Sequence, residues 1–440
     1  MWKRPATPNS TPAPRLVLLL TAGIERPAGR RYFALARALV RRGYRVRILA
    51  LHPDLATCPR RRFVQDGVEV WYVGQMHARK TGTHPTRFGG LALLRVVIGA
   101  TWGMLRGILD SPAELYHLGK PQPINGMAAV LGVLLLRRQR FYVDCDDDET
   151  ATNRFTAGWQ RAVFAFWQSI LPRLACGLTV NTHYLAQYWR QRTTARISYV
   201  PNGVDPATFC APPPPVLHGL RRALQLEGCR VIAYVGTLAL HNHPVDLLLL
   251  AFQQVLAAYP TARLLLIGGG EDLPMLQAQV RALGVQGQVL FTGHLPHAVI
   301  PAYLSLAELS VDPVRDDPVA RARSPLKIAE SMVLGVPVIT GDVGDRAAML
   351  ADGRAGVLVT PGDARALAEA MTTLLGNPAL HHALHHAAQQ HVRQHYTWDQ
   401  LARQWATIYP PDLAPDLAQH QARAHYPFPS PHPHPTEATP

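Results

Sequence analysis

Short apolar runs alternate with longer amphipathic stretches along the first half of the chain. The runs cover residues 16–20, 45–51, 68–73, 141–143, 177–180 and 197–200. Each run has the length of a buried strand, whereas residues 32–42 repeat apolar positions at helical spacing. Because helices that alternate with short strands connect parallel neighbours, this half predicts a doubly wound α/β sheet with both faces covered.

A proline-rich break at residues 203–228 interrupts this rhythm, which then restarts. Strand-like runs follow at 231–235, 263–267, 289–292, 309–311, 336–340 and 357–359. Helical stretches separate them at 245–259, 273–283, 300–307, 326–334 and 364–375. We therefore predict two Rossmann-like domains, 15–203 and 229–385, joined by a linker at 204–228, with ligands bound in the cleft between them.

The two ends of the chain differ from its body. A last helical stretch follows the second domain, and we predict a helix at 386–409 that ends the folded part. Residues 1–14 and 410–440 are rich in Pro, Thr and His and lack hydrophobic periodicity. Both segments are therefore predicted to be disordered.

The positive charge of the chain is concentrated in its first half. Of the 440 residues, 44 are Lys or Arg and 30 are Asp or Glu. Residues 15–200 hold 27 basic and 11 acidic side chains, a balance of +16, whereas residues 201–409 hold 14 and 16, a balance of −2. We expect an anionic partner, a membrane surface or an acidic acceptor, and no nucleic acid, since no zinc-finger or RNP-like pattern occurs. Lysines number only four, so a coding bias toward Arg is the alternative.

Composition excludes several protein classes. Hydrophobic residues make up 48% of the chain, too many for a disordered protein. The five cysteines lack C-x-x-C spacing, which argues against a zinc ribbon and a disulfide framework. No secretory signal is evident in the polar first residues.

Two apolar segments of the basic half bear on membrane contact. Residues 91–105 are interrupted by Arg95 and bounded by Arg106, well short of the roughly twenty residues that a span needs. We predict a basic amphipathic or buried helix there. The aromatic residues at 159, 164, 166 and 167 have helical spacing and are predicted to be mainly core residues, with contact to an anionic bilayer as the alternative.

Six segments carry a resemblance to a known family. They are residues 199–205 (YVPNGVD), 234–238 (YVGTL), 266–271 (LIGGGE), 289–293 (VLFTG), 324–339 (SPLKIAESMVLGVPVI) and 396–398 (YTW). The chain resembles the retaining, nucleotide-sugar-dependent glycosyltransferases of the GT-B architecture, the group 1 or family 4 set. The resemblance implies two Rossmann-like domains that face each other across a cleft, with the last helix crossing back to the first domain.

Residues 324–334 have physical properties suited to binding a diphosphate. Ser324, Pro325 and Leu326 lead into a helix whose first N–H groups and dipole favour an anion. Lys327 is suited to neutralise the leaving phosphate, and Glu330 matches a glutamate that accepts hydrogen bonds from ribose hydroxyls in the relatives. The alternative is an ordinary helix with a surface Lys and Glu. The other donor-side candidates lie at strand ends or beside this segment: Gly236, Thr237, Gly269, Phe291, Thr292 and Arg323.

Three positions depart from the family pattern. Ala322 stands where many relatives have a glutamate that contacts the donor sugar. Thr237 and Asn242 stand where relatives often place an Arg and a Lys on the diphosphate. Either the cations at 321, 323 and 327 supply the missing charge or the chain binds nucleotide weakly. We favour the first interpretation, because a diphosphate leaving group needs positive charge.

A second group of candidates lies in the first half. Five carboxylates occur within residues 144–149 (DCDDDE), directly after an apolar run, and a segment containing His117 is predicted to end a neighbouring strand. Buried carboxylates need water, a metal or cations, so we expect both segments to face the cleft, with Asp146 or His117 as general acid or base. The acceptor-side candidates are Gly29, Arg30, Lys120, Asp144 and Asp147.

Two other interpretations of the acidic segment remain open. It is equally explained as a solvated loop that caps the next helix. As a D-x-D motif it also fits the metal site of the other glycosyltransferase architecture, but that fold has one metal-dependent domain, against which the two-domain rhythm argues.

Together these features predict a cytoplasmic glycosyltransferase that moves a sugar from a nucleotide-diphospho-sugar to an acceptor hydroxyl, with retention as the resemblance implies. We expect no metal or other cofactor, because side chains and a helix N-terminus carry the diphosphate. The expected acceptor is a glycan or a lipid-linked glycan, with peripheral contact to the inner face of the plasma membrane. The alternatives are a non-catalytic nucleotide-sugar or glycan-binding relative and a nucleotide-sugar epimerase or phosphorylase.

Overall fold

The structure, a computed structural model, describes residues 13–79, 86–153, 155 and 157–414. The predicted disordered tails lie outside these residues except for 13–14 and 410–414. In the described part of the chain, two sheets of mainly parallel strands form two Rossmann-like domains. The predicted α/β fold is therefore confirmed.

The first domain contains an eight-stranded sheet and a short separate hairpin. The strands are β1 (Arg15–Leu20), β2 (Arg45–His52), β3 (Arg62–Gln65), β4 (Val68–Gln75), β5 (Ala78–Arg79), β6 (Thr86–Arg87), β7 (Leu115–Gly119), β8 (Tyr142–Cys145), β9 (Gly177–Val180) and β10 (Arg196–Tyr199). The sheet order is β10-β9-β8-β7-β1-β2-β4-β3, and β3 pairs antiparallel with β4 at one edge. All other pairs of this sheet are parallel, and β5 and β6 form the separate antiparallel hairpin.

Helices cover both faces of this sheet. They are α1 (Pro27–Arg41), α2 (Gly90–Leu109), α3 (Pro123–Ala129), α4 (Glu149–Thr152), α5 (Gly158–Leu174) and α6 (His183–Arg190). A π-helical segment, Val130–Leu136, continues α3. Side chains of β1 alternate between two cores: Val17 and Leu19 pack with α2, α3 and α5, whereas Leu16 and Leu18 pack with α1.

The helix α2 is longer than its sequence predicts. The interruptions at Arg95 and Arg106 do not end it, and it continues for 20 residues. By length and composition it is the one helix in the described residues that qualifies as a candidate membrane span, and only 28% of its most apolar window is buried.

The linker contains a helix that its prolines do not predict. This helix is α7 (Pro214–Ala223), and Pro214 and Pro215 occupy its first turn. Proline is tolerated there because the first N–H groups of a helix have no partner within the helix.

The second domain contains a six-stranded sheet in which all strands are parallel. Its strands are β11 (Val231–Val235), β12 (Arg263–Ile267), β13 (Val289–Gly293), β14 (Leu309–Asp312), β15 (Val338–Gly341) and β16 (Val357–Val359), in the order β13-β12-β11-β14-β15-β16. The helices are α8 (Val245–Ala258), α9 (Leu273–Ala282), α10 (Ile300–Leu304), α11 (Pro318–Arg321), α12 (Leu326–Val333), α13 (Arg346–Met349), α14 (Ala364–Gly376) and α15 (Pro378–His395).

The chain returns to the first domain at its end, later than predicted. Residue 386 lies inside α15, which packs on α12 in the second domain. The element that crosses back is the next helix, α16 (Trp398–Ala406), whose Leu401 and Trp405 are buried against α1. The capping box of Thr397 and Gln400 sets the start of this helix, which accounts for the later crossing.

Both sheets present a point of strand-order reversal to the cleft between the domains. In the first sheet it lies between β1 and β7, and in the second between β11 and β14. Loops from the two sheets meet there. The amide of Asn202 donates a hydrogen bond to Ser324 Oγ at 2.9 Å, and the amide of His183 donates to the carboxylate of Asp345 at 3.1 Å. Ligands of open α/β sheets bind at such points.

Candidate active site

Two glycine turns bring the ends of β11 and β12 close together. Gly236 has φ 153°, and a Cβ on it would lie 2.9 Å from Lys327 Nζ. Gly268 has φ 143°, and a Cβ on it would lie 2.0 Å from the carbonyl oxygen of Gly236. Only glycine adopts these conformations in so little space. The turns therefore leave room beside Lys327.

Lys327 is largely buried and its charge is balanced from within the second domain. Its Nζ lies 3.2 Å from Asp312 Oδ1 and 4.2 Å from the centre of the Tyr234 ring. Arg346 Nε donates to the other oxygen of Asp312 at 3.0 Å. Burial alone would raise the pKa of Asp312, but the two cations outweigh it and lower the pKa to about 2. The carboxylate is thus ionised and holds Lys327 in place.

The N-terminus of α12 lies next to this lysine. In the described part of the chain no side chain caps the helix at Pro325, so its first N–H groups remain available to an anion. Asn202 Nδ2 donates to the carbonyl of Ser324 at 2.6 Å, which fixes the approach to the helix from the linker side. Leu326 packs against the core of the first domain. The helix start is therefore held by both domains.

Arg323 places a second cation in the cleft. Its Nη1 donates to the carbonyl of Asn242 at 3.2 Å, and its Nε lies 4.0 Å from Asp147 Oδ1 of the first domain. Nearby His243 is half-buried, and desolvation together with Lys327 and Arg323 lowers its pKa well below the usual value. His243 is therefore neutral near pH 7, and the cationic side chains that act on it are those of Lys327, Arg323 and Arg346.

Glu330 faces a histidine that the sequence does not single out. Its Oε1 lies 2.6 Å from His297 Nε2, and the His297 ring packs on Phe209 at 5.4 Å between centres. The feature of the sequence that could have indicated His297 is its place directly after Pro296, beyond the predicted strand 289–292. From the first domain, Arg30 lies close enough to Glu330 for the carboxylate to oppose the lowering of the Arg30 pKa by burial.

The remaining donor-side candidates line the same edge of the sheet. Thr292 Oγ1 accepts a hydrogen bond from the amide of Gly268 at 3.3 Å, and Gly269 lies against the backbone of His294. Phe291 is half-buried in the core, whereas Thr237 is exposed with its carbonyl bonded to Tyr234. The structure thus brings the donor-side candidates of the second domain to one cleft edge.

The acidic loop of the first domain surrounds Lys120. Its Nζ lies 2.7 Å from Glu149 Oε1, 3.0 Å from Asp146 Oδ1 and 3.9 Å from Asp147 Oδ2. Burial lowers the pKa of Lys120, but these carboxylates raise it well above the usual value. Burial raises the pKa of Asp147 to about 6 against the opposing effect of Lys120 and Arg323.

The helix-cap interpretation of this loop holds for Asp148, and the acceptor role of its other carboxylates stays a prediction. Asp148 caps α4 by accepting hydrogen bonds from the amides of Thr150 and Ala151. Asp146 and Asp147, in contrast, are largely buried rather than solvated. They lie beside Lys120 and opposite Arg323, at the cleft.

Two predictions about the first domain are wrong, because His117 and Asp144 lie in the core and not at the cleft. His117 was predicted at a strand end but is fully buried in the middle of β7, where its ring stacks on the ring of Trp405 with 4.3 Å between the centres. Burial, with a contribution from Arg31, lowers the pKa of His117 well below its usual value. Asp144 is also fully buried, in an ion pair with Arg31 at 3.1 Å. β8 continues two residues beyond the predicted end at residue 143, and His117 lies two residues before the end of β7, so both side chains are buried in the core.

These two residues belong to a buried network that holds α16. Trp405 Nε1 donates to Tyr409 Oη at 2.7 Å, and Tyr409 Oη lies 2.9 Å from His117 Nδ1. His117 Nε2 is 3.3 Å from Thr179 Oγ1, which donates to Asp144 at 2.6 Å. A neutral His117 satisfies every member of this chain. The network is structural, and it removes His117 and Asp144 from contact with a substrate.

The first turn of α1 places the last two acceptor-side candidates. A Cβ on Gly29 would lie 2.0 Å from the carbonyl oxygen of Gly23, so glycine is required there. Arg30 Nε donates to the carbonyl of Glu25 at 3.1 Å. The next residue, Arg31, was missed by sequence analysis, although it ties Asp144 to the carbonyl of Val200 at 2.7 Å. An arginine in an amphipathic helix gives no sign of such a role.

One group of potential metal ligands occurs within the described residues. His241, Glu271 and Asp272 have ligand atoms within 4.8 Å of one another, on the loops after β11 and β12. Asp272 Oδ2 already accepts a hydrogen bond from the amide of Leu240 at 2.7 Å. The absence of a metal requirement stays a prediction.

Comparison with known proteins assigns the chain to a family. A profile described as "Glycosyl transferase 4-like domain" matches residues 28–203, and one described as "Glycosyl transferases group 1" matches residues 229–377. GDP-mannose-dependent alpha-(1-6)-phosphatidylinositol monomannoside mannosyltransferase of Mycolicibacterium smegmatis is 28% identical over 236 residues, 52% of this chain. The match spans 60% of that protein's length.

Solved structures share the fold over nearly the whole chain. Sucrose-phosphate synthase (tll1590) from Thermosynechococcus elongatus superposes with a TM-score of 0.71 at 18% identity, covering 90% of this chain and 98% of that protein. Anabaena Alr3699/HepE in complex with UDP-glucose gives 0.66 at 17% identity, covering 89% and 98%. Fold and site together define a GT-B glycosyltransferase architecture. The chain belongs to the group 1 glycosyltransferases, which confirms the resemblance seen in the sequence.

Proposed function

We propose that the protein transfers a sugar from a nucleotide-diphospho-sugar to an acceptor hydroxyl, with retention and without a metal. The observation that carries this proposal is the uncapped N-terminus of α12 beside Lys327, a lysine fixed by Asp312 at 3.2 Å. A preorganised cation and helix N-terminus stabilise the charge that develops on a departing diphosphate. The mannosyltransferase of Mycolicibacterium smegmatis, by its name, uses GDP-mannose.

On the donor side, each group has a distinct task. The diphosphate lies at Ser324 and the start of α12, with Lys327 and Arg323 as its counter-charges. Glu330, oriented by His297 at 2.6 Å, accepts hydrogen bonds from the ribose. Backbone groups after β12 and β13 line the nucleoside position. Anabaena Alr3699/HepE, which has the same fold, is by its title in complex with UDP-glucose, and this supports a nucleotide sugar as the ligand.

The acceptor enters from the first domain. Asp146, Asp147 and Lys120 lie opposite Arg323 in the cleft and offer both carboxylates and a cation to hydroxyl groups. A glycan or a lipid-linked glycan suits this lining, and the mannosyltransferase relative acts, by its name, on a phosphatidylinositol monomannoside. Asp146 or Asp147 replaces His117 as the candidate general base. A cytoplasmic location stays a prediction.

The non-catalytic alternative rests on Thr237 and Asn242, where cations are missing, and on Ala322, where many relatives have a glutamate. In the structure, Arg323 lies against the carbonyl of Asn242 at 3.2 Å, so a cation occupies the region from another part of the chain. This placement favours a competent donor site over a site disabled by the two substitutions.

The test is a thermal-shift panel of nucleoside diphosphates and nucleotide sugars on wild type, Lys327→Ala and Glu330→Ala. A ligand at a hundred times its dissociation constant adds about 2.7 kcal/mol of stability. We expect one nucleotide to stabilise the wild type, with the shift lost in both variants and unchanged by EDTA. Absence of any shift in the wild type contradicts the donor site.

Interconversion of the sugar without an acceptor identifies an epimerase, and a requirement for inorganic phosphate identifies a phosphorylase.

A further inference from the structure

An exposed apolar surface lies on the outer side of the first domain. Of the 17 exposed large hydrophobic side chains in the described residues, 12 belong to α2, the π-helical segment and α5. They include Ile98 and Trp102, each 60% exposed, and Trp159, 62% exposed. Aromatic residues of α5 expected in the core, Trp159 and Phe166, are therefore on the surface. We call the outer side of these three segments the apolar face.

The three segments form one continuous surface. A Cβ on Gly132 would lie 2.9 Å from Leu105 of α2, and one on Gly126 would lie 2.7 Å from Leu171 of α5. Glycines thus let α3 and its π-helical extension pack closely between α2 and α5. Contiguous exposed apolar patches of this kind mark interaction surfaces.

The charge of the apolar face identifies its partner. No Asp or Glu occurs in α2, α3, the π-helical segment or α5. The exposed arginines of these helices and of the turn after the π-helical segment are Arg95, Arg106, Arg138, Arg140, Arg161 and Arg173. Arg95 follows Leu94 and precedes Ile98 by less than one turn, so it borders the apolar stripe of α2. Apolar side chains bordered by arginine complement an anionic lipid surface.

The packing of the inner side of α2 shows whether this helix lies on a bilayer or crosses it. A Cβ on Gly103 would lie 2.0 Å from the carbonyl oxygen of Val73, and one on Gly74 would lie 2.8 Å from Ala100. Met104 and Ile108 are fully buried in the domain core. Crossing a membrane would strip α2 from β4 and expose this core, so the helix lies flat with one side on the sheet.

We propose that the apolar face docks the first domain on an anionic lipid bilayer, with α2 and α5 in the interfacial plane. Trp102 and Trp159 suit the headgroup level, where amphipathic rings are favoured. α3 begins three residues after Lys120, and α5 follows the acidic loop, so docking brings the acceptor side of the cleft near the membrane. Docking itself does not depend on the proposed transfer reaction.

The test is co-sedimentation of the full chain with phosphatidylcholine vesicles that contain or lack phosphatidylglycerol. We expect binding that requires the anionic lipid and weakens with salt. Leu94→Ser combined with Ile98→Ser and Trp102→Ser is expected to weaken binding about tenfold or more, because apolar contact is lost. Arg95→Gln with Arg106→Gln is expected to weaken it and flatten the salt dependence. The matched control is Leu250→Ser with Met275→Ser, exposed apolar residues of the second domain.

Several outcomes overturn the proposal. They are no binding to either vesicle, equal binding by wild type and the apolar variant, and a wild-type dimer that the variant dissociates without any vesicle binding. Protein that resists extraction by high salt and alkaline pH shows that α2 crosses the bilayer instead. Equal melting temperatures establish that the variants are folded. The nucleotide-induced shift, measured on the same samples, reports the donor site separately.

Discussion

A single carboxylate, Asp312, balances two buried cations beside the donor position. It contacts both Lys327 and Arg346 and is fully enclosed. We predict that Asp312→Asn lowers the free energy of unfolding by about 3 kcal/mol or more, because it leaves two cations without their counter-charge. The control is Asp316→Asn, which breaks an exposed pair with Arg321 and is expected to cost less than about 1 kcal/mol. Urea titration measures both, and equal losses contradict the prediction.

The carboxyl group of Asp147 gives the stability a specific pH dependence. Its pKa rises from 3.8 to about 6 on folding, so the folded state holds a proton that the unfolded state releases. This contribution to stability is present below about pH 4 and is lost as the pH rises through 6, a change of about 3 kcal/mol. Asp147→Asn is expected to abolish that decline, whereas Asp148→Asn, in the same loop, retains it. Parallel unfolding curves of wild type and Asp147→Asn from pH 4 to 7 contradict this account.

At the scale of elements, the docking of α16 depends on one hydroxyl. Tyr409 Oη joins Trp405 Nε1 to His117 Nδ1 inside the first domain. Tyr409→Phe is expected to cost about 2 to 4 kcal/mol in the free energy of unfolding, since two buried polar atoms lose their partner. In Tyr259→Phe, the hydroxyl removed lies 3.4 Å from a carbonyl oxygen, and we expect less than about 1 kcal/mol. Chemical denaturation of both variants distinguishes a network from a set of apolar contacts.

Strand boundaries explain where residue prediction failed. The apolar run 141–143 indicates a strand, but the strand extends to Cys145 and takes Asp144 into the core. His117 likewise lies two residues before the end of β7. A shift of one or two residues decides whether a side chain points into the cleft or the core. Boundary errors of that size are invisible in a pattern of apolar runs.

At the scale of the whole molecule, local patterns predicted the two sheets and the start of α12. Spacing within 324–330 was enough to place Ser324, Lys327 and Glu330 at one helix end. The partners of these residues were not predictable in the same way, because Asn202 and His297 meet them only after the domains and loops are assembled. Asp312 could in principle have been predicted from the sequence, because it is a carboxylate at the end of a buried strand next to the strand-order reversal.

Arg323 links the domains at the donor position, and its behaviour tests how the whole cleft works. It contacts Asn242 of the second domain and lies 4.0 Å from Asp147 of the first. We predict that Arg323→Ala weakens the binding of a nucleoside diphosphate about tenfold to a hundredfold, because hydrogen bonds to charged groups contribute about 1.5 to 3 kcal/mol. Arg321→Ala, two positions away and exposed, is expected to leave the affinity unchanged. Isothermal titration with both variants decides whether the cleft arginine replaces the cations missing at Thr237 and Asn242; equal affinities in the two would show that it does not.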